Sequence, residues 1–246
     1  MSYQLPVKCT FIVTVLAVTL VSGRPATSDS IYFPTDDHVE HSLPVFEQSA
    51  ASNTGSQTVV GKDGSVQQQN FGSSMSSNVA SDLSSGQLSA TNTQQSSLQS
   101  GDKFQSANSA QGQSAAFDRE KQALANANTN TNVVRDGANV REQTAGGAAS
   151  SLKTTQGSQA SQAQTNSESF KEPGKEGNRT TGSAQSQNIG MDGTGSASNA
   201  NTGSEKIVLA DGTVITKSFG SSSSFQVSGN TKASSMAQTF SQSFGG

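Results

Sequence analysis

The sequence holds one cluster of metal-binding side chains, in the stretch DDHVEH at 36–41. Asp37, His38 and His41 place a carboxylate and two imidazoles close together along the chain, a ligand set that suits Zn²⁺ or Cu²⁺. Nearby prolines and the lack of a packed shell around these residues argue against a preorganised site, so an acidic, solvated arm is the alternative interpretation. We predict at most weak metal association at this cluster and no resident cofactor.

The parts of a catalytic site are missing elsewhere. Both histidines lie in this arm, the single cysteine is Cys9, and no phosphate-binding Gly-rich loop with Lys-Ser/Thr follows a strand pattern. We therefore predict that the protein is not an enzyme. Asn178, in Asn-Arg-Thr, is the one N-glycosylation acceptor sequence, and its charged surroundings favour an exposed position.

Composition indicates what class of chain carries these residues. Only 30% of the residues are hydrophobic, 5% are aromatic and none is Trp, while Ser, Gln, Asn, Thr, Gly and Ala fill most of the length. Such a chain is expected to bury too little apolar surface to offset the entropy of ordering. We predict a mostly disordered, low-complexity chain without a globular core. The net charge of −3 is too small and dispersed for a nucleic-acid partner.

A motif that appears twice is the main sign of local structure. Residues 58–77 and 206–225 match without a gap when offset by 148 positions, including Val60/Val208, Asp63/Asp211 and Phe71/Phe219. In each copy Asp-Gly separates two β-prone runs, which is a strong signal for a hairpin turn. We predict isolated short β-hairpins at 58–71 and 206–217.

The C-terminal copy is expected to be the better formed of the two. A turn centred on Asp-Gly would pair Leu209 with Val214 and Val208 with Ile215, whereas the first copy would pair Val60 with Gln67. An isolated hairpin is marginal in water, so each copy needs a partner, and we predict chain-to-chain association there. The predicted self-association residues are Val208, Leu209, Asp211, Gly212, Val214, Ile215 and Phe219.

Two weaker signals lie between these copies. The stretch at 132–140 contains a third Asp-Gly, and its Asp136 lies nearly midway between Asp63 and Asp211. Whether this is a true repeat stays open, because the Phe-Gly-Ser-Ser tail is missing. Residues 114–127 are a weak helix candidate that starts with a possible Ser114 cap but has only two apolar anchors.

The chain divides by composition into four parts. Residues 1–23 combine Lys8, a short apolar run and a small-residue cleavage site, which predicts a secretory signal peptide and an extracellular protein with no membrane contact after cleavage. Residues 24–49 form a Pro-, acid- and His-containing arm or pro-segment. Residues 50–205 are the polar low-complexity region, with Asp-Gly repeats at 58–77 and 132–140. Residues 206–246 hold the C-terminal hairpin and a Ser/Phe/Gly tail.

Tracts such as SSLQSGDKFQSANSAQGQS at 96–114 and SFGSSSSFQVSGN at 218–230 make the chain resemble secreted Ser-rich arthropod structural proteins. These are silk coats of the sericin type, cuticle proteins and egg coverings. The resemblance implies an extracellular structural or adhesive protein that associates with itself and with other structural proteins. The alternative is a soluble, glycosylated binding or lubricating protein of a secretion such as saliva or seminal fluid.

Overall fold

The computed structural model describes residues 13–15 and 46–245, which form one antiparallel sheet of twelve strands arranged in chain order. A three-residue strand, β1 (Val13–Val15), pairs with residues 55–57 of β2. Eleven strands of 15 or 16 residues make up the rest of the sheet. They are β2 (Phe46–Val60), β3 (Val66–Ala80), β4 (Gly86–Ser100), β5 (Lys103–Phe117), β6 (Lys121–Asp136), β7 (Asn139–Thr154), β8 (Gly157–Glu172), β9 (Lys175–Gly190), β10 (Gly195–Leu209), β11 (Val214–Ser228) and β12 (Thr231–Gly245).

Turn-forming residues separate the strands of this meander. From residue 50 onward the only proline is Pro173, and it lies with Gly174 in the turn between β8 and β9. Because no proline interrupts a strand from β3 to β12, every residue there has an N–H available for pairing. Positive φ angles occur at turn glycines such as Gly101, Gly137 and Gly229, where the absence of a Cβ allows the chain to reverse.

The prediction of a mostly disordered chain with isolated hairpins is wrong, because 46–245 is continuous paired strand and turn. The predicted helix at 114–127 is also wrong, since it covers the end of β5 and the start of β6. Asp118 accepts hydrogen bonds from the backbone N–H groups of Glu120 and Lys121 and closes a turn there. Across this turn Leu124 pairs with Ala115, so cross-strand pairing prevails over a weak helical preference.

Both predicted Asp-Gly hairpins exist, as two of ten in the sheet, but their predicted register is wrong by one residue. Val208 pairs with Val214, and Val60 pairs with Val66. The turns are longer than a two-residue loop, because the N–H of Leu209 donates to the carbonyl of Thr213 at 2.9 Å. The one-residue change gives the N-terminal copy a Val–Val pair, so it is not the poor hairpin that the sequence suggests.

Few side chains are buried within the described residues. Ala80 is the buried hydrophobic residue and Ser106 the buried polar one, and both lie within the sheet. Backbone hydrogen bonds between strands therefore organise this fold, and the side chains stand on two broad faces. Because side chains alternate along a strand, residues paired across the sheet form rows that belong to one face or the other.

Candidate assembly surfaces

One face of the sheet carries three neighbouring rows made entirely of Gly, Ala, Ser and Thr, and we call it the hydroxyl face. Each row crosses eleven strands, β2 to β12. The Thr–Gly row is Thr54, Gly72, Thr93, Ala110, Thr129, Gly146, Thr165, Gly182, Thr202, Gly220 and Thr239. The Ala row is Ser52, Ser74, Thr91, Gly112, Ala127, Ala148, Ala163, Ala184, Ala200, Ser222 and Ala237. The Ser row is Ala50, Ser76, Ser89, Ser114, Ala125, Ser150, Ser161, Ser186, Ser198, Ser224 and Ser235.

Threonine alternates with glycine in the Thr–Gly row, except at Ala110 on β5, for a steric reason. A Cβ placed on Gly72 would meet the Thr93 Oγ1 at 2.9 Å, and one on Gly220 would meet the Thr239 Oγ1 at 3.0 Å. Each threonine therefore leans over the glycine of the adjacent strand and fills the space of the missing side chain. The row stays low and even, with threonines on alternate strands about 9.6 Å apart.

Hydroxyl groups in the Ser row bond to each other across the strands. Ser76 and Ser89 are joined Oγ to Oγ at 2.6 Å, and Ser150 and Ser161 at 2.7 Å. The same contact joins Ser186 to Ser198 and Ser224 to Ser235. These bonds pair eight of the nine serine hydroxyls in the row with each other, so the row presents methylene and oxygen surface with fewer free donors.

Two shallow grooves run across the strands on this face. One lies between the Ala row and the Ser row and crosses from β4 to β12. The other lies on the far side of the Ser row and crosses from β2 to β10. The hydroxyl face is thus corrugated, with rows of small side chains separated by grooves that run in the same direction.

The opposite face, which we call the amide face, carries larger side chains. Its central row, which we call the amide row, consists mainly of Asn and Gln. Those on the even-numbered strands are Asn53, Asn92, Asn128, Gln164, Asn201 and Gln238. Seven exposed Phe and Met side chains also belong to this face, and they are Phe71, Met75, Phe219, Phe225, Met236, Phe240 and Phe244.

Phenylalanine covers glycine at several places on the amide face. The rings of Phe71 and Phe219 lie directly over Gly55 and Gly203 on the neighbouring strand. The Phe117 ring approaches the Cβ position of Gly86 at 2.7 Å in the same way. Gly86 and Gly203 are buried, so the rings shield backbone that a glycine would otherwise leave exposed to water.

A short row of alternating charges crosses the amide face near one end of the strands. Glu205 contacts both Arg179 and Lys217, and Arg141 contacts Glu168 at 3.1 Å. The hydrogen bond from Arg179 is the main reason that the pKa of Glu205 lies below its ordinary value. The three cations are exposed and the two glutamates are partly buried, so each pair contributes modestly to stability, and together the pairs favour this order of neighbouring strands.

The outer edge of β12 is the least protected boundary of the sheet. All fifteen of its residues are exposed, Lys232 is its one charged residue, and it contains no proline. Among the described strands, only β11 pairs with it. At the other boundary β2 carries one charge, Glu47, and β1 covers it only at residues 55–57. Edges of this kind are normally blocked in monomeric proteins by charge, proline or bulges.

The predicted self-association residues lie around the turn between β10 and β11. Val208 and Val214 are paired on the hydroxyl face, and Ile215 lies on the amide face with Ile207. Phe219 is on the amide face over Gly203, while Asp211 and Gly212 are in the turn. These residues therefore lie at an end of two inner strands and on both faces, and they do not form one surface.

Besides Asp118, four aspartates organise turns by accepting hydrogen bonds from the residue two positions later. Asp211 accepts from the Thr213 N–H at 2.9 Å, and Asp63 from the Ser65 N–H at 3.1 Å. Asp82 and Asp192 make the same contact. Side-chain and backbone hydrogen bonds from the same partner residue lower the pKa of the Asp63, Asp82 and Asp192 carboxyl groups below the ordinary 3.8, and for Asp211 the backbone bond from Thr213 is the main cause. The turn at Asp82 differs from the others because Leu83, with φ of 57°, occupies the position that glycine holds elsewhere.

The other predicted sites have separate outcomes. Asp37, His38 and His41 lie outside the described residues, and the part that is described contains no cluster of three or more metal-ligating side chains. Asn178 is exposed within β9, on the hydroxyl face, where it pairs with Ser169 and Lys206. It therefore lies on a strand and is accessible to solvent.

Sequence reasoning missed the rows that define the two faces. Each even-numbered strand from β2 onward contains an Asn-Thr or Gln-Thr pair, and these recur 36 to 39 residues apart. Each pair places its amide on one face and its threonine in the Thr–Gly row of the other. The threonines are Thr54, Thr93, Thr129, Thr165, Thr202 and Thr239.

No helix among the described residues is long and apolar enough to cross a membrane. Comparison with known proteins finds no matching family model, no matching curated protein and no matching solved structure.

Proposed function

We propose that the protein is a secreted structural protein whose sheets stack through their hydroxyl faces to build an extracellular β-sheet material. The observation that carries this proposal is that all positions of three adjacent rows, on eleven strands, are Gly, Ala, Ser or Thr. Small side chains allow two sheets to approach more closely than the usual ~10 Å and to exclude water between them.

The area of this surface is sufficient for stable association. Each position on one face covers about 4.8 by 6.8 Å, so the three rows present about 1,100 Å². Two stacked copies would bury about 2,200 Å² in total, slightly above the standard size of a stable interface. None of the three rows contains a charged residue, so stacking leaves no ion desolvated there.

The corrugation of the face supports a self-complementary contact. A two-fold axis between stacked sheets brings the same surface of each copy together. The Ser row of one copy can then lie in a groove beside the Ser row of the other. The secreted location rests on the N-terminal sequence pattern, which we retain as part of the proposal.

Paired lysine substitutions on adjacent residues test the proposal. Ala127→Lys with Ala184→Lys places two charges in the Ala row, and Asn128→Lys with Gln185→Lys places the same charges one residue away on the amide face. All four side chains are exposed, so both variants should keep their strand content by circular dichroism. We expect light scattering to show that the first variant assembles at least tenfold more weakly than the second. Equal assembly of the two variants would overturn the proposal.

The position of Asn178 favours a second candidate function. A glycan at Asn178 would stand on the hydroxyl face, four residues along β9 from Gly182 of the Thr–Gly row. It would then oppose stacking near that end of the sheet and favour the soluble, glycosylated protein. Full occupancy of Asn178 in the natural protein, with monomeric behaviour that persists at high concentration until the glycan is removed, would support this alternative.

A further inference from the structure

We propose that β12 pairs with β12 of a second copy, antiparallel and centred on Gln238, to extend the sheet sideways. This contact is separate from the stacking of hydroxyl faces, although it rests on the same proposed structural function. The proposal rests on the outer edge of β12, which no other described strand pairs with. Fifteen exposed residues present a row of backbone groups, of which every second N–H and carbonyl points away from β11.

A second copy fits this edge better than an unrelated strand because the strand is complementary to itself. Gln238 is the middle residue of Thr231–Gly245, so an antiparallel pair centred there uses all fifteen residues of both strands. Met236 then lies opposite Phe240 of the second copy, a favourable sulfur–aromatic contact. The two Gln238 amides meet on the two-fold axis and can bond to each other.

Charge is compatible with the same register. Lys232 is the one charged residue of β12 and lies opposite Phe244 of the second copy, where its ammonium can rest over the ring. The two Lys232 residues are then about 41 Å apart, well beyond the screening length in physiological salt.

Both faces of the sheet continue across this joint. In the antiparallel register Thr239 of the Thr–Gly row meets Ala237 of the second copy, and Ser235 meets Ser241. All four are small residues on the hydroxyl face. Edge pairing therefore doubles the width of the hydroxyl face, so the two contacts support each other in one assembly.

The test uses Gln238→Lys, which places two like charges on the two-fold axis. Its matched control is Gln164→Lys, since Gln164 lies in the same row of the amide face on the inner strand β8 and is also exposed. Both changes are made in the Ala127→Lys, Ala184→Lys chain, so that face stacking is already weakened. By analytical ultracentrifugation we expect the control chain to dimerise and Gln238→Lys to weaken dimerisation at least tenfold.

Spin labels measure the register directly in the same chain with Cys9→Ser. Labels at Gln238→Cys should lie within about 20 Å of each other, whereas labels at Thr231→Cys should be about 48 Å apart. A dimer that survives Gln238→Lys, or labels at 238 that lie far apart, would overturn the edge contact. Neither outcome affects the comparison of lysine pairs on the two faces, which tests face stacking. Conversely, large assemblies formed by the lysine-pair chain would count against face stacking and not against β12 pairing.

Discussion

The hydroxyl and amide faces share the same eleven strands and the same backbone, yet they differ in the size of their side chains. Ala163 and Gln164 are neighbours on β8, and one belongs to the Ala row while the other belongs to the amide row. On the hydroxyl face, a threonine of the next strand fills the space above each glycine of the Thr–Gly row. On the amide face, a phenylalanine ring covers glycine at several places. Strand alternation thus makes one surface of small side chains in shallow, regular rows and one surface of larger side chains from a single polar sequence.

The largest expected effect comes from two adjacent glycines on opposite faces. Gly146 lies in the Thr–Gly row, and Gly147 lies in the amide row. The nearest atom to a Cβ on Gly146 is the Thr165 Oγ1 at 3.4 Å, an ordinary contact. For Gly147 the nearest atom is the Asn128 Oδ1 at 2.8 Å, at the end of a flexible side chain that can move. Both leucine variants should therefore fold. We expect Gly146→Leu to raise the concentration needed for assembly at least tenfold, while Gly147→Leu leaves it within twofold, as measured by scattering.

A smaller effect should follow from removing an aromatic cover on the amide face. Phe219→Ala uncovers the buried Gly203 and removes the aromatic partner of Phe240 on the next strand. We therefore expect the unfolding free energy to fall by about 1–3 kcal/mol. Phe240→Ala, at a ring that is 71% exposed on the edge strand, should cost less. Urea titration of the two variants under non-assembling conditions gives the comparison, and equal losses would contradict a covering role for Phe219.

Turn residues belong to neither face and should change stability without changing assembly. Gly212 has φ of 85°, so Gly212→Ala should cost about 1–2 kcal/mol. Leu83 occupies the same kind of conformation with a side chain, so Leu83→Gly should stabilise the protein by up to about 1 kcal/mol. Thermal melting measures both, and a lower melting temperature for Leu83→Gly would contradict the strain at this turn.

The smallest effect is a dependence of stability on pH. The folded pKa values of Asp63, Asp82, Asp192 and Asp211 are lowered, so their contribution is complete above the unfolded value near 3.8 and is lost as pH falls through the folded values. We expect the melting temperature to decrease as the pH is lowered below about 4. The quadruple Asp→Asn variant keeps an acceptor oxygen and should show a shallower fall, and an unchanged acid profile would contradict this origin.

The sequence revealed some turns but not the sheet that they connect. Asp63-Gly64 and Asp211-Gly212 were recognisable because Asp-Gly between β-branched runs has few other interpretations. Asp192-Gly193 makes the same kind of turn at the opposite end of the strands and was missed, because only small polar residues follow it. Rows of Ser, Thr, Ala and Gly alternate with Asn and Gln, and they carry almost no hydrophobic period to mark a strand.

The chain contains a shorter repeat than the Asp-Gly motif suggests, and its unit is one hairpin. The Asp-Gly positions at Asp63, Asp136 and Asp211 are 73 and 75 residues apart, which corresponds to two hairpins each. The Asn-Thr and Gln-Thr pairs mark every hairpin, and they were hidden because Ser, Thr and Asn are common throughout the chain. The register of the hairpins could not be predicted for a different reason. It depends on whether a turn has two residues or more, and a shift of one residue moves every side chain of a strand to the other face.

The most direct test of face stacking is the accessibility of neighbouring residues on the two faces before and after assembly. Ala163→Cys and Gln164→Cys, each in a Cys9→Ser chain, place one thiol on the hydroxyl face and one on the amide face. Maleimide labelling should proceed at similar rates at both positions in the monomer. After assembly we predict that labelling at 163 slows at least tenfold while labelling at 164 changes little. Equal protection at the two positions, or protection at 164 alone, would contradict the account.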